Sequence, residues 1–414
     1  MRILLVTSMV PDADGIGAIP KLLAAELEGL RAHHEVTLVT TFGEDPGQAE
    51  AAAQLARSDL DFHVVDRRRS PSAARRWRVR AELAATWLSR PWPWRVVCGA
   101  AGVQPLIDRV AAERSFDVVA VEDNPMAVLR FPDGVPVVFT EHEAIRAPAD
   151  QWRAPDRGER LRRALRARDW RRWDAFLPEI WKRFGLLQVF GEADAEAVRR
   201  LAPALAPRVR VNPYGMVLPA AADPSRTVAD TVLFTGTFAH LPNREAALWL
   251  GREIMPAVRA QRPSARLRIV GRTPPPEVLE LAGPGVEVVA AATEMRTHLE
   301  QAAVIAAPVR SGGGMRMKVL EAMALGKAVV TTGLGAEGFT SFPDAPPLAI
   351  AEGSEEIAAA IARLLGDDGA RRELGQGARE FALRHHTPAA WAARLEVVFE
   401  EARELAGNSQ PKIS

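Results

Sequence analysis

Short apolar runs alternate with longer amphipathic runs along most of this chain. The short runs are rich in Val, Ile and Leu, which is typical of strands buried on both faces of a parallel sheet. In the longer runs apolar residues recur every three or four positions, as in helices that cover such a sheet on one face. The alternation therefore predicts an α/β fold with parallel sheets and helices packed against them.

The predicted strands form two groups. The first group is predicted at residues 3–7, 35–40, 116–122, 135–140 and 186–190, and the second at 231–236, 266–271, 286–290, 303–308 and 328–332. Between them, residues 208–227 are rich in Pro and Ala and show little periodicity, so we interpret them as an interdomain linker. The pattern predicts two Rossmann-like domains separated by a hinge, with ligand bound at the carboxyl ends of both sheets.

A strong helical pattern follows the second group, at residues 388–407. Its apolar face is predicted to contain Trp391, Leu395, Val398 and Ala402. We expect one domain over residues 1–215, a second over 216–387, and this helix within 388–414, with a frayed end at 408–414.

Composition limits the classes of function. With 414 residues, of which 48% are hydrophobic, the chain is long enough for two or three domains with substantial cores. The formal net charge of +1 gives no overall field that would favour nucleic acid. Cys98 is the only cysteine, which excludes an intramolecular disulfide and a cysteine-rich metal site. The abundance of Ala and Arg is typical of a GC-rich bacterial genome.

The first residues of the chain form a short apolar run, and Asp12 and Asp14 follow it. This pattern favours a buried first strand over a signal peptide. No apolar run approaches the roughly 20 residues needed to cross a bilayer. We therefore expect a cytoplasmic protein, with peripheral contact at the inner membrane face left open.

A glycine run leads into a helical pattern at residues 311–332, SGGGMRMKVLEAMALGKAVVTT. The backbone N–H groups at a helix N-terminus and the helix dipole both favour an anion such as a phosphate. Arg316 and Lys318 add positive charge, and Glu321, one turn further along, can accept hydrogen bonds from hydroxyl groups. The combination suggests a site for a nucleotide-sugar diphosphate. The alternative is a tight strand-to-helix turn with solvated charges.

This segment resembles the donor-site signature of family 4 glycosyltransferases with the GT-B fold, in a branch whose version reads GGTRLK followed by LEAMA. The similarity covers much of residues 230–340, is diffuse over the first domain and is weak in the arginine-rich middle. It implies two Rossmann-like domains that face each other across a cleft. The first would bind the acceptor and the second the nucleotide-sugar, while the last helix would cross back to the first domain.

The resemblance also implies roles for individual residues. Glu321 matches the second glutamate of the family's E-x7-E pattern, which grips the ribose hydroxyls. The backbone amides of Gly314, Met315 and Arg316 are expected to contact the diphosphate, and the side chains of Arg316 and Lys318 to neutralise it. The other donor-binding residues that it implies are Thr237 near the phosphates, Gly271 and Arg272 near the nucleotide, Thr293, Glu294 and Met295 at the base, and Gly312 and Gly313 in the glycine run.

One position departs from the family pattern. The first glutamate of E-x7-E, which commonly touches the donor sugar, is replaced by Gly313. This replacement is usual in the GGTRLK branch, so it does not argue strongly for an inactive protein. It leaves the identity of the donor sugar open, because another group must make that contact.

Two glycines and a histidine are the main candidates in the first domain. Gly15 and Gly17 open its first helix, and family members use such a loop to approach the donor phosphate and the acceptor. His142 follows a predicted strand, where family members often have a histidine close to the reacting sugar. A simple helix-start turn and a structural histidine are the respective alternatives.

Three glutamates lie near His142 or at the end of the preceding strand. Glu122 ends a predicted strand and is a weaker candidate for the cleft. Glu141 and Glu143 are expected either to flank the acceptor or to orient His142.

Two segments are strongly basic, residues 67–80 and 152–176, and the second also contains several tryptophans. One interpretation is docking on an anionic membrane, where a lipid-linked acceptor would reside. The other is an exposed helix whose arginines pair with neighbouring carboxylates. Those carboxylates would be Asp156, Glu159, Asp169 and Asp174. Nucleic acid is not an expected partner, because the fold pattern points elsewhere.

A literal G-x-G-x-x-G is formed by Gly333, Gly335 and Gly338 after a predicted strand. The family resemblance implies a loop at this place, and no clear helical pattern follows it. A dehydrogenase is therefore not the favoured function.

The resemblance implies a retaining glycosyltransferase that moves a hexose from a nucleoside diphosphate to a hydroxyl of a glycan, lipid-linked or small-molecule acceptor. Its catalytic candidates are His142, Arg316 and Lys318. No cofactor or metal is expected, since no Asp-x-Asp signature stands at a matching place. Two alternatives remain. One is a sugar-nucleotide epimerase on the same fold. The other is a non-catalytic nucleotide-sugar-binding protein, which is considered because Gly313 replaces the first glutamate of the family pattern.

Overall fold

The computed structural model describes residues 1–15, 17–68, 72–142, 144, 160–290 and 295–409. The chain divides into two compact units, of which one is Met1–Val217 with Pro388–Ser414 and the other is Leu218–Thr387. Five of the residues discussed above lie outside the described residues, namely Glu143, Asp156, Glu159, Thr293 and Glu294.

The first unit is built on a parallel sheet. Its strands are β1 Arg2–Val6, β2 Glu35–Phe42, β3 Asp61–Asp66, β4 Val118–Glu122, β5 Val137–Thr140, β6 Leu186–Val189 and β7 Val209–Val211. Its helices are α1 Ala18–Arg31, α2 Pro46–Leu55, α3 Ala73–Ser89, α4 Trp94–Ala100, α5 Gln104–Glu113, α6 Arg160–Trp181 and α7 Glu192–Leu201. The seven strands lie in the order β3-β2-β1-β4-β5-β6-β7.

The second unit has the same plan. Its strands are β8 Thr231–Thr237, β9 Arg266–Arg272, β10 Val286–Ala290, β11 Val304–Ala307, β12 Ala328–Thr331 and β13 Ala349–Ile350. Its helices are α8 Leu241–Trp249, α9 Met255–Gln261, α10 Pro276–Leu279, α11 Met295–Gln301, α12 Met317–Ala324, α13 Gly333–Ala336, α14 Ser354–Gly366 and α15 Asp368–His385. A π-helical turn, Leu250–Ile254, joins α8 to α9, and the six strands lie in the order β10-β9-β8-β11-β12-β13.

The last helix, α16 (Pro388–Ser409), packs on α1 in the first unit. Its predicted apolar face is buried: Trp391 is 0% and Leu395 1% exposed. Burying large apolar side chains of this kind contributes roughly 1.5–3 kcal/mol each, so the stripe is sufficient to hold the helix on that unit. The helix also extends to Ser409, into the segment that we expected to fray.

The central strands of both sheets are apolar on both faces, as the sequence pattern predicts. Residues Ile3 to Val6 of β1 are fully buried, and so are Val232 to Phe234 of β8. Both sheets are parallel and helices connect their strands, so each unit is a Rossmann-like domain.

Sequence patterning missed three of the four edge strands of the two sheets. Strands β3, β7 and β13 were not predicted, because they are short or only partly buried and so have no continuous apolar run. Strand β7 lies inside the predicted linker and pairs with β6 through Leu187 and Val209, so that part of the linker prediction is wrong.

The stretch 333–338 also differs from the prediction. The expected loop contains the single-turn helix α13, and the Thr332 side chain caps it by accepting from the Gly335 N–H at 3.0 Å. A helix of four residues is too short to give a periodic signal. Over the described ranges, no helix combines the length and apolar character required to cross a bilayer.

Candidate functional site

The glycine run forms the connection between β11 and α12. Gly312 and Gly314 have φ values of +86° and +75°, in the left-handed region that favours glycine. A Cβ on Gly312 would also lie 3.0 Å from Cγ of Pro242. The backbone of this loop therefore depends on glycine, and it delivers the chain to the N-terminus of α12.

The buried side chain of Arg316 stabilises this loop by hydrogen bonds to its backbone. It is only 8% exposed, and its guanidinium donates to the carbonyls of Gly312 and Gly313, both at 2.7 Å, and to that of Ser311 at 3.3 Å. The side chain thus holds the loop carbonyls while its positive charge stays next to the glycine run. Neutralising a phosphate is the role we predicted for Arg316, and the structure adds a role in fixing the loop.

Lys318 lies in the first turn of α12. Its Nζ donates to Oδ1 of Asn243 at 2.6 Å and lies 4.3 Å from the ring centroid of Phe234. Burial and, to a smaller extent, the nearby Arg316 charge lower the pKa of Lys318 to about 7, although Glu321 opposes this shift. An anion placed beside this amine would stabilise its charged form.

Asn243 connects α12 to the end of β8, and sequence analysis missed it. Its Nδ2 donates to the carbonyl of Thr237 at 2.9 Å while its Oδ1 accepts from Lys318. Gly236 leaves the space for this side chain, because a Cβ there would lie 2.9 Å from Cγ of Asn243. The available signal was the Pro-Asn pair at the start of α8, directly after the strand that carries Thr237.

Strands β8 and β9 end side by side at this edge of the sheet. Thr237 pairs in register with Arg272, and both side chains are exposed. Gly271 is buried, and a Cβ at this position would lie 1.7 Å from the carbonyl oxygen of Gly236. Glycine at 271 is therefore required for the two strands to approach each other here.

The remaining described donor residues are Glu321 on α12, Met315 before α12 and Met295 on α11. Glu321 is partly buried on α12, one turn beyond Lys318. Met315 is 7% exposed and packs against Gly338, where a Cβ would lie 2.6 Å from Cγ of Met315. Met295 is the partly buried first residue of α11. Gly338 of the G-x-G-x-x-G stretch thus lies against Met315, the residue that follows the glycine run.

His142 lies in the first unit, just beyond the end of β5. Its Nε2 is 2.7 Å from Oε2 of Glu122, the last residue of the neighbouring β4, and its Nδ1 has no hydrogen-bond partner among the described residues. Burial disfavours the imidazolium, but the hydrogen bond and charge of Glu122, with Asp123 and Glu141 nearby, leave the pKa of His142 raised. The candidate histidine is therefore hydrogen-bonded to a buried carboxylate, and burial raises the pKa of Glu122 as well.

A second carboxylate lies next to this pair. Asp123 is 3% exposed and has a φ of +72°, which is uncommon for a residue other than glycine. Its Oδ2 accepts from Ser8 at 2.8 Å and from Arg95 at 2.9 Å. Burial opposes ionisation, but Arg95, His142 and Ser8 keep the pKa of Asp123 lowered. Sequence analysis missed these contacts, although the Glu-Asp-Asn string at the end of β4 carried a signal.

Glu26 on α1 adds a buried acid. It is 1% exposed, and neither carboxyl oxygen has a partner among the residues the structure describes. Burial, together with the charge of Glu122, raises the pKa of Glu26 well above the ordinary value and so favours its neutral form.

Glu141, next to His142 in the chain, is held by two donors from the core. Its carboxylate accepts from Asn124 at 2.8 Å and from the Trp181 indole at 2.9 Å, so it is directed into the core. A buried carboxylate needs such donors, which explains the orientation.

Gly15 and Gly17 lie in the connection between β1 and α1. Gly17 is the N-cap of α1 with a φ of +91°, and a Cβ on Gly15 would lie 2.7 Å from Cβ of Pro20. Both positions therefore require glycine for the shape of the loop.

Among the described residues, no group of three or more His, Cys, Asp and Glu side chains is arranged to hold a metal ion. The structure thus brings together the glycine run, Arg316, Lys318, Glu321 and Thr237 in one unit, and His142 with Glu122 in the other.

Residues 229–367 match the family model described as glycosyl transferases group 1. No curated protein matches the chain in sequence. In structure, the chain is similar to HepE of Anabaena in complex with UDP, with a TM-score of 0.62, 13% identity, and coverage of 97% of this chain and 100% of that one.

Two further solved structures show a comparable likeness. For sucrose-phosphate synthase from Thermosynechococcus elongatus the TM-score is 0.61 at 17% identity, with 97% of this chain and 99% of that one covered. For TarM the TM-score is 0.65 at 10% identity, with 96% and 99% covered. These likenesses concern the fold, and they confirm the predicted fold class. The chain has the GT-B fold, and its residues 229–367 resemble a glycosyl transferases group 1 domain.

Proposed function

We propose that this protein is a retaining glycosyltransferase of the family 4 type, which transfers a sugar from a nucleoside diphosphate to an acceptor hydroxyl. The observation that carries the proposal is the position of Lys318 in the first turn of α12, directly after the glycine run. A partly buried amine with a pKa of about 7 gains its charge readily when an anion binds beside it. This arrangement lies within the segment that matches the glycosyl transferases group 1 model.

In this proposal the diphosphate binds at the N-terminus of α12. The backbone N–H groups of Gly314, Met315 and Arg316 and the ammonium of Lys318 face its oxygens, and Glu321 accepts from the ribose hydroxyls. The complex of the structurally similar HepE with UDP supports a nucleoside diphosphate as the ligand class.

The reaction is a substitution on one face of the sugar. The acceptor oxygen forms a bond to the anomeric carbon as the bond from that carbon to the diphosphate oxygen breaks, and the acceptor's proton passes to the departing diphosphate. The protein contributes positioning and stabilisation of the negative charge on the leaving group. The scheme uses neither a protein nucleophile nor a metal ion, so activity should persist in the presence of a chelator.

His142 is assigned to the sugar or the acceptor in the same proposal. Because Glu122 occupies Nε2, the other ring nitrogen is the one that would meet a hydroxyl group. Gly15 and Gly17 would shape the neighbouring loop, and Thr237, Gly271 and Arg272 would approach the nucleotide.

The test compares UDP with 2′-deoxy-UDP, or the corresponding pair for whichever nucleotide binds. A thermal-shift screen of UDP, GDP, ADP and dTDP selects that nucleotide, since a ligand at 100 times its dissociation constant stabilises by about 2.7 kcal/mol. The wild type should prefer the ribonucleotide roughly 10-fold or more, because a hydrogen bond to a charged group contributes about 1.5–3 kcal/mol.

The Glu321→Ala variant should lose this preference, and the exposed control Glu280→Ala should retain it. An unchanged preference in Glu321→Ala would contradict the assigned site.

Incubating the enzyme with donor alone separates the alternatives, because an epimerase would convert the donor without acceptor. A protein that binds nucleotide but turns over no donor would be a binding protein.

A further inference from the structure

Helix α3 has no buried residue along its 17 positions. Its inner side is only partly covered, at Arg76, Leu83, Thr86 and Trp87. Helices of globular domains usually bury one apolar stripe against the core. Most of the surface of α3 is therefore exposed.

The exposed side of α3 carries an apolar stripe. Trp77, Ala81, Ala84 and Leu88 recur at steps of four, three and four residues, so they share one helical face. Trp77 is 71% exposed and Leu88 64% exposed. Trp94, which is 42% exposed and makes an edge contact with Trp87, lies close to the C-terminal end of the helix.

Arginines border this stripe. At about 100° per residue, Arg78 and Arg80 fall on opposite sides of it. The guanidinium groups of Arg75, Arg78 and Arg80 form no ion pair within the described part of the chain. The charged residues of α3 are Arg75, Arg76, Arg78, Arg80 and Glu82, so the helix has a net positive charge.

Helix α6 holds α3 by its inner side. The Arg172 guanidinium lies 4.1 Å from the ring centroid of Trp87 and donates to the Trp87 carbonyl at 2.5 Å, and Asp169 accepts from the Trp87 indole at 2.9 Å. Asp169 also accepts from the Trp94 backbone N–H at 2.7 Å, so it serves these donors in place of the arginine partner we expected. These contacts fix the orientation of the stripe.

The two described tryptophans of the second basic segment are covered by protein, although Leu165 in that segment is 44% exposed. Trp173 is 5% exposed and belongs to the core of the first unit, and Trp170 packs against that core. Among the described tryptophans, Trp77 and Trp94 are the exposed ones, at 71% and 42%.

We propose that α3 docks this protein on an anionic lipid bilayer. Trp77 and Leu88 enter the boundary between headgroups and acyl chains, and Arg78 and Arg80 contact the lipid phosphates beside them. Arg75 lies further round the helix and adds to the electrostatic attraction. The pairing of an apolar stripe with bordering arginines favours a bilayer over nucleic acid, which would engage the arginines and leave the stripe in water. The docking is independent of the proposed catalytic site, which lies elsewhere in the fold.

Vesicle co-sedimentation tests the proposal with the full chain. Phosphatidylcholine vesicles are compared with vesicles that also contain phosphatidylglycerol, at low and high salt. The wild type should bind the anionic vesicles at least tenfold more tightly than the neutral ones, and high salt should weaken that binding. Replacing Arg75, Arg78 and Arg80 by Ala should reduce binding by roughly fivefold per arginine.

Two control variants match these changes on the same unit. The triple replacement Arg57→Ala, Arg109→Ala and Arg208→Ala removes the same charge from exposed positions elsewhere. The double variant Trp77→Glu and Leu88→Glu should abolish binding. The control Val397→Glu adds a negative charge at a position on α16 that is 68% exposed, and it should still bind like the wild type.

Several results would overturn the proposal. The first is that the wild type does not bind anionic vesicles. The second is that the triple arginine replacement on α3 and the control triple replacement weaken vesicle binding equally. The third is that the stripe mediates self-association instead. The last would appear in size-exclusion chromatography as a dimer that Trp77→Glu and Leu88→Glu dissociate, without vesicle binding.

Discussion

Lys318 and Asn243 are joined by a hydrogen bond of 2.6 Å, although 75 residues separate them in the chain. Asn243 also donates to the Thr237 carbonyl at 2.9 Å, so the end of β8 and the start of α12 are held together at the proposed diphosphate site. The amine is thus fixed in place before any donor binds.

The lowered pKa of Lys318 predicts that donor binding depends on pH. The free enzyme has a pKa of about 7 at this amine, and a bound diphosphate raises it, so the contribution to affinity is complete below pH 7 and is lost as pH rises towards the bound-state pKa. Affinity should fall by up to about tenfold per pH unit in that range. Calorimetry with UDP-glucose, or the donor that binds, measures this because its diphosphate does not titrate there.

Lys318→Met should bind donor more weakly and without this pH dependence. The exposed Lys182→Met, on the other unit, serves as the control and should follow the wild-type curve. A wild-type affinity that is level between pH 6 and 9 would argue against the amine as a phosphate ligand.

The bracing of the glycine run by Arg316 predicts separable effects on stability and turnover. Arg316→Ala removes three hydrogen bonds to the loop, so it should lower the free energy of unfolding by about 1–3 kcal/mol and kcat/KM by about 10²–10³. Arg316→Lys keeps the charge but not the planar geometry, so it should recover only part of the turnover. Chemical denaturation and initial rates measure the two effects.

Arg266→Ala is the matched control for Arg316, because its side chain is exposed on β9 in the same unit. It should leave both quantities within error of the wild type. Full turnover in Arg316→Ala would show that the loop does not need the hydrogen bonds from Arg316.

The close approach of β8 and β9 predicts that Gly271 tolerates no side chain. In Gly271→Ala the new Cβ would lie 1.7 Å from the Gly236 carbonyl oxygen, so the strands must separate. The free energy of unfolding should fall by about 3 kcal/mol or more. Gly283→Ala, where nothing lies within 4 Å of the added Cβ, should change it by less than about 0.5 kcal/mol.

The pairing of His142 with Glu122 predicts a change in imidazole titration. The carboxylate raises the pKa of His142 against the opposing effect of burial, so Glu122→Gln should lower that pKa. NMR titration of the His142 ring would detect the shift, and any activity that depends on the imidazolium should decline at a lower pH than in the wild type. The exposed Glu196→Gln should leave the titration unchanged, and an unshifted His142 in Glu122→Gln would refute the assignment.

Part of this site could be predicted from sequence because it is local. The glycine run, Arg316, Lys318 and Glu321 lie within ten residues, and the order of strand, glycines and helix determines their relation to one another. The buried strands were predictable for a similar reason, since burial on both faces leaves continuous apolar runs.

The sequence alone determined two Rossmann-like domains, their order along the chain, and a glycine run entering a helix that carries a cation and a carboxylate. Only the tertiary structure decided that Asn243 meets Lys318, that Glu122 pairs with His142, that Glu141 turns to the core and that the apolar stripe of α3 is exposed. These contacts join residues from different strands and helices. They depend on which elements become neighbours in the sheet, and local hydrophobic patterning does not encode that choice.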